Sequence, residues 1–128
     1  MSSLCCRDGV ALSLADAIRL GATLRPQGFG AMFTPGDGTS CALGAAYEAI
    51  FGRVAEDGGV ALDALIARYP VLLAEAGACP HAPCDSEPVW PVDSLAVHLN
   101  DFHAYSREQV AACIEGFEIG RMRQRKDQ

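Results

Sequence analysis

The sequence predicts a mainly α, compact single domain of four to five helices with a small β-hairpin and a zinc-knuckle-like loop. The length of 128 residues suits one domain, and 50% of the residues are apolar, so a core can form. Apolar side chains recur at helical spacing between capping residues, which indicates helices rather than strands. This composition excludes disordered, collagen-like and coiled-coil chains. No apolar run approaches the roughly 18–20 residues that cross a membrane.

The N-terminal part predicts one helix and then a hairpin, after a loose lead-in over residues 1–10. Ser13 is expected to cap the first helix, which should stop before Pro26 because proline lacks an amide donor. A short strand over 29–34 and the turn residues 35–38 would then form the small hairpin.

The second predicted helix runs over residues 41–51 and is rich in alanine and glycine. Thr39 or Ser40 is expected to cap it, and Gly52 to end it. Small side chains let a neighbouring backbone approach closely, so this helix is predicted to lie centrally in the domain.

The C-terminal half predicts three further helical segments around a proline-rich stretch. A helix is expected over about 61–69, and Pro70 suits the first position of a further turn. The four prolines of residues 78–91 argue against regular structure there. A short helix over about 92–101 follows, and a capping box at Ser106 begins the last helix.

The segments around the prolines carry a cysteine and histidine pattern, C-x4-C-x13-H-x4-H. Its members are Cys79, Cys84, His98 and His103, and His81 is a competing ligand inside the knuckle. Two thiolates and two imidazoles can bind zinc tetrahedrally, and four protein ligands are typical of a structural site. The histidines lie five residues apart, about 140° around an ideal helix, so the helix must end or distort between them. In the alternative without metal, the two cysteines are buried or bridged and His98 is a core residue.

A second possible site lies at the start of the second helix, where the helix dipole would lower the pKa of the Cys41 thiol. His98 could act as its base and Asn100 or Asp101 could orient the base, as in known cysteine nucleophiles. The alternative is that Cys41 is simply a core residue among apolar neighbours. Because His98 cannot easily serve both sites, the zinc and nucleophile hypotheses exclude each other.

Charge and cysteine content bear on compartment and partners. The net charge is −6, and residues 121–128 carry +3, which leaves −9 on residues 1–120. An acidic body repels phosphate backbones, and the basic end is either a solvated helix terminus or a docking patch. Arg7 and Asp8 interrupt the one early candidate for a signal peptide, so a cytoplasmic protein is expected. The six cysteines are then ligands or core residues, whereas a secreted chain could form three bridges.

Two motifs carry a resemblance to known proteins: CALGA, which begins at Cys41, and HLNDFHAYSREQVA, which begins at His98. In this combination the chain resembles a family of small, uncharacterised bacterial and phage-encoded proteins, in which a CP-x-x-C knuckle often precedes the second motif. This sequence has a wider C-x4-C knuckle, and it has Tyr105 where tryptophan is usual. The resemblance implies the knuckle site and names no activity.

Together these observations predict a small cytoplasmic zinc-binding accessory or interaction protein that has a protein partner and no catalytic activity. No glycine-rich phosphate motif and no suggestive carboxylate pair is present. Two alternatives remain. One is a thiol-dependent enzyme with Cys41 as nucleophile, and His98 and Asp101 in support. The other is a bacterial or phage regulator that contacts polymerase or nucleic acid through its basic C-terminal end.

Overall fold

The computed structural model describes residues 12–34, 38–77, 79 and 90–127, with the side chains of the last helix described as far as residue 120. The elements in chain order are α1 (Leu14–Gly21), β1 (Phe33–Thr34), β2 (Thr39–Ser40), α2 (Ala42–Phe51), α3 (Gly58–Arg68), a 3-10 helix (Pro70–Leu73), β3 (Glu75–Gly77), β4 (Trp90–Pro91), α4 (Val92–Asp101) and α5 (Arg107–Asp127). The predicted mainly α domain with a small hairpin is confirmed. The predicted lead-in over 1–10, most of the turn over 35–38 and the knuckle residues 80–89 lie outside the described residues.

Two predicted N-caps form as their local sequences indicate. The hydroxyl of Ser13 accepts a hydrogen bond from the Asp16 amide at 3.1 Å and so caps α1. Ser106 and Gln109 exchange two hydrogen bonds at 2.8 and 3.0 Å, which is the predicted capping box of α5. The start of α2 differs from the prediction, because Thr39 and Ser40 belong to β2 and Cys41 caps the helix instead.

Helix α1 ends at Gly21 and so stops before Pro26, as predicted; the amides of Thr23 and Leu24 then bond carbonyls three residues back. One helix begins at a different residue from the one predicted. Helix α3 begins three residues earlier than predicted, at Gly58, since the Asp57 carboxylate accepts from the first free amides of the helix.

The strands of the hairpin are shorter than predicted, and a second pair of strands occurs outside it. The hairpin pairs β1 with β2 antiparallel, and only the last two residues of the predicted strand over 29–34 take part. The prediction that residues 78–91 lack regular structure is wrong at its end, because β4 pairs antiparallel with β3. Proline is tolerated there, since a strand at a sheet edge leaves amide positions that need no partner. This pairing fixes Trp90 immediately before α4.

Close contact between α1 and α2 forms the centre of the core, which confirms the predicted central position of α2. A Cβ atom added at Gly21 would lie 1.8 Å from the Ala45 carbonyl oxygen, so the two backbones approach as closely as glycine allows. Helix α5 packs across α1, and the Glu118 carboxylate accepts from the amides of Leu14 and Ala15. Among the described residues, no helix combines the length and apolar character needed to cross a membrane.

Candidate metal centre

The turn between α4 and α5 brings His103 back beside His98. Helix α4 ends at Asp101, and the amides of Phe102 and His103 both point to the carbonyl oxygen of His98, at 2.8 and 3.4 Å. Ala104 then takes a left-handed conformation with φ of 53°, which reverses the chain direction. The helix therefore ends between the two histidines, as the zinc hypothesis required.

Three potential metal ligands converge at this turn. One ligand atom from each of Cys79, His98 and His103 lies within 4.8 Å of the others. The Sγ atom of Cys79 lies 3.4 Å from Nε2 of His103. Ligand atoms of tetrahedral zinc are separated by about 3.3–3.8 Å, given zinc bonds of about 2.0–2.3 Å. This group could hold a metal ion after movements of about 1 Å at its widest pair.

His98 contacts two aromatic rings. Its imidazole lies 4.8 Å from the Trp90 ring at 34° and stacks on the Phe102 ring at 5.1 Å and 14°. Its Nε2 atom is buried and has no hydrogen-bond partner among the described residues. A buried polar atom without a partner costs roughly 1–3 kcal/mol, so this nitrogen is suited to a ligand that completes the site.

Only three of the four predicted ligands lie among the residues that the structure describes. Cys79, His98 and His103 come together, whereas Cys84 and its competitor His81 lie outside the described residues. The fourth ligand therefore remains a prediction.

Sequence reasoning missed the aromatic neighbours of the site. The Phe102 side chain is 69% exposed, and its ring contacts are with the two imidazoles. The spacing of four residues between His98 and Phe102, which places both on one helix face, was the available signal.

Asn100 connects the turn between α4 and α5 to the N-terminus of α2. The side chain is 1% exposed, and its Oδ1 accepts from the Ala42 amide at 3.3 Å and from Gln27 at 2.9 Å. Its Nδ2 donates to the Gly28 carbonyl at 3.1 Å and to the Asp101 carboxylate at 2.7 Å. Asp101 thus supports the buried amide, which links the two sequence motifs structurally.

Cys41 lacks the environment of a reactive nucleophile. It is 4% exposed, and burial raises the pKa of its thiol, although hydrogen bonds from the amides of Gly44 and Leu43 act in the opposite direction. The nearby charge of Asp101 raises the pKa further. The expected lowering by the helix N-terminus does not occur, because desolvation of the thiolate outweighs the amide contacts.

Alkylation of Cys41 should therefore be slow in the folded protein. At pH 8 the raised pKa leaves less thiolate than a free cysteine holds, and the thiol is also inaccessible, so we expect a rate roughly tenfold or more below that of N-acetylcysteine. Mass spectrometry of peptides after timed iodoacetamide treatment measures this rate, and urea-unfolded protein is the control. A folded-state rate above that of the small thiol would support the thiol-enzyme alternative.

The fold and the site together define a small, mainly α domain with a cysteine and histidine group that could hold a metal ion. Comparisons with known protein families, curated proteins and solved structures found no match. The resemblance to small bacterial and phage-encoded proteins therefore stays a prediction.

Proposed function

We propose that this chain is a non-catalytic zinc-binding accessory protein, in which one structural ion ties the segment before β4 to the turn between α4 and α5. The observation that carries the proposal is the convergence of Cys79, His98 and His103 within 4.8 Å. Thiolate and imidazole together are ligands that favour zinc over magnesium or calcium. The buried, unpartnered Nε2 of His98 supports the same conclusion, because a metal ion would satisfy it.

The proposed fourth ligand is Cys84, which follows Cys79 in the segment CPHAPC, with His81 as the competing candidate. Four protein ligands close the coordination shell and leave no position for a substrate, so the role is structural. The proposed partner is another cytoplasmic protein, because the net charge of −6 disfavours nucleic acid.

Metal content of the purified full chain tests the proposal. After exposure to excess zinc and gel filtration, we expect elemental analysis to find about one zinc per chain for wild type. We expect less than about a fifth of that for Cys79→Ser, His103→Ala and Cys84→Ser, since one missing ligand of four weakens binding strongly. Circular dichroism checks that each variant keeps its helices.

Two matched controls use residues outside the proposed ligand set. Cys113→Ser removes a half-buried thiol on α5, and His81→Ala removes the competing imidazole. Both should keep full zinc content. A wild-type chain without zinc, or full zinc in Cys79→Ser, would overturn the proposed function. If His81→Ala loses zinc and Cys84→Ser keeps it, the fourth ligand is His81 instead of Cys84.

A further inference from the structure

We propose that Phe102 is a positioning residue of the metal site, whose exposed ring holds the imidazoles of His98 and His103 in the orientation that lets both bind one ion. The inference rests on the proposed zinc site and goes beyond it, because it assigns a role in metal retention to a side chain that is no ligand.

The contacts of Phe102 are directed at both imidazoles. Its ring stacks on His98 at 5.1 Å with planes 14° apart, and meets His103 edge-on at 5.1 Å and 90°. The two imidazoles themselves lie 4.8 Å apart at 83°. Offset-stacked and edge-to-face contacts at these separations are the favoured aromatic geometries. The three rings therefore restrain one another, and Phe102 is the member that cannot bind metal.

Exposure shows that Phe102 contributes little to the core. At 69%, its exposed fraction is the highest among the large hydrophobic side chains of the described residues. Single exposed apolar side chains are normal at protein surfaces, and Phe102 differs from the others in its ring contacts with both imidazoles. Removal of this ring should consequently disturb the ligands far more than the fold.

A second aromatic ring, that of Trp90, also contacts His98, at 4.8 Å between ring centres. The pairing of β3 with β4 fixes Trp90, and the bond from the Phe102 amide to the His98 carbonyl fixes the backbone that carries Phe102. An imidazole restrained by two ring contacts loses little orientational freedom when metal binds. Residues around metal ligands commonly raise affinity in this way.

The test compares zinc affinity in Phe102→Ala with that in Phe29→Ala. Phe29 is a matched control, because it is 51% exposed and is not among the described aromatic neighbours of the two imidazoles. Competition with a chromophoric chelator gives the dissociation constant, and stopped-flow release to excess chelator gives the off-rate. The fluorescence of Trp90, the single tryptophan, reports events at His98 independently.

We expect Phe102→Ala to bind zinc about three- to tenfold more weakly because zinc dissociates faster from it. The affinity of Phe29→Ala should match that of wild type. The melting temperature of the metal-free protein should be unchanged in both. Phe102→Tyr should restore affinity because it keeps the ring, and Phe102→Leu should not.

Four outcomes would overturn the inference. Equal affinity of Phe102→Ala and wild type would remove the positioning role and leave the zinc site intact. Rescue by Phe102→Leu, or a matching fall in the melting temperature of the metal-free protein, would assign Phe102 to packing alone. Absence of zinc from wild type would overturn the proposed function itself, and the inference with it.

Discussion

Removal of zinc is expected to lower the melting temperature of the wild-type protein by roughly 12–16 °C. An ion present at a thousandfold above its dissociation constant stabilises the folded state by about 4 kcal/mol, provided the unfolded chain does not bind it. In a chain of 128 residues, each kcal/mol shifts the melting temperature by about 3–4 °C. Thermal melts of the zinc-loaded protein with and without a strong chelator measure the difference.

The control for this experiment is His103→Ala, which lacks one of the three converging ligands. Chelator should leave its melting temperature unchanged, because little metal is bound to remove. Wild type and His103→Ala responding equally to chelator would contradict the prediction, since the effect would then arise from the chelator itself.

Gly21→Ala is expected to destabilise the protein by roughly 3 kcal/mol or more. The added Cβ would lie 1.8 Å from the Ala45 carbonyl oxygen, and the obstacle is the backbone of α2, which cannot rotate away as a side chain could. The two helices must separate, and overpacking of this kind costs about 1–3 kcal/mol or more. Urea unfolding measures the change in the free energy of unfolding.

Gly116→Ala is the matched substitution, because Gly116 lies in α5 and an added Cβ would meet nothing within 4 Å beyond its chain neighbours and the backbone of its own helix. Alanine is the better helix former, so we expect a gain of about 0.5–1 kcal/mol. Similar effects at positions 21 and 116 would show that helix propensity, rather than the contact between α1 and α2, determines the outcome.

Local sequence signals predicted the helices well where a cap determines the boundary. Ser13 and Ser106 each bond an amide three residues ahead, so the start of α1 and of α5 depends on neighbours in the sequence. Helix α3 began earlier than predicted, although Asp57 followed by two glycines carried the same kind of signal. Strand β4 could not be predicted, because its hydrogen bonds come from β3, more than ten residues away.

The sequence predicted the ligand residues of the candidate site, and the fold added the aromatic rings around them. The spacing of Cys79, His98 and His103 indicated the donor atoms, and the structure brings these three together. The aromatic rings around His98 could not be derived from spacing. The position of Trp90 depends on the β3–β4 pairing, and that of Phe102 depends on the turn through Ala104.

By itself, the sequence determined which segments are helical and which side chains can donate to a metal, because both depend on residue type and on neighbours within a few positions. The tertiary structure alone decided that Cys41 is buried with a raised pKa. It also decided that Arg107 is buried against the carbonyls of Ala22 and Arg25, and that Phe102 faces the imidazoles. The physical reason is that desolvation and ring contacts arise from atoms distant in the sequence, whose approach is determined only when the helices pack.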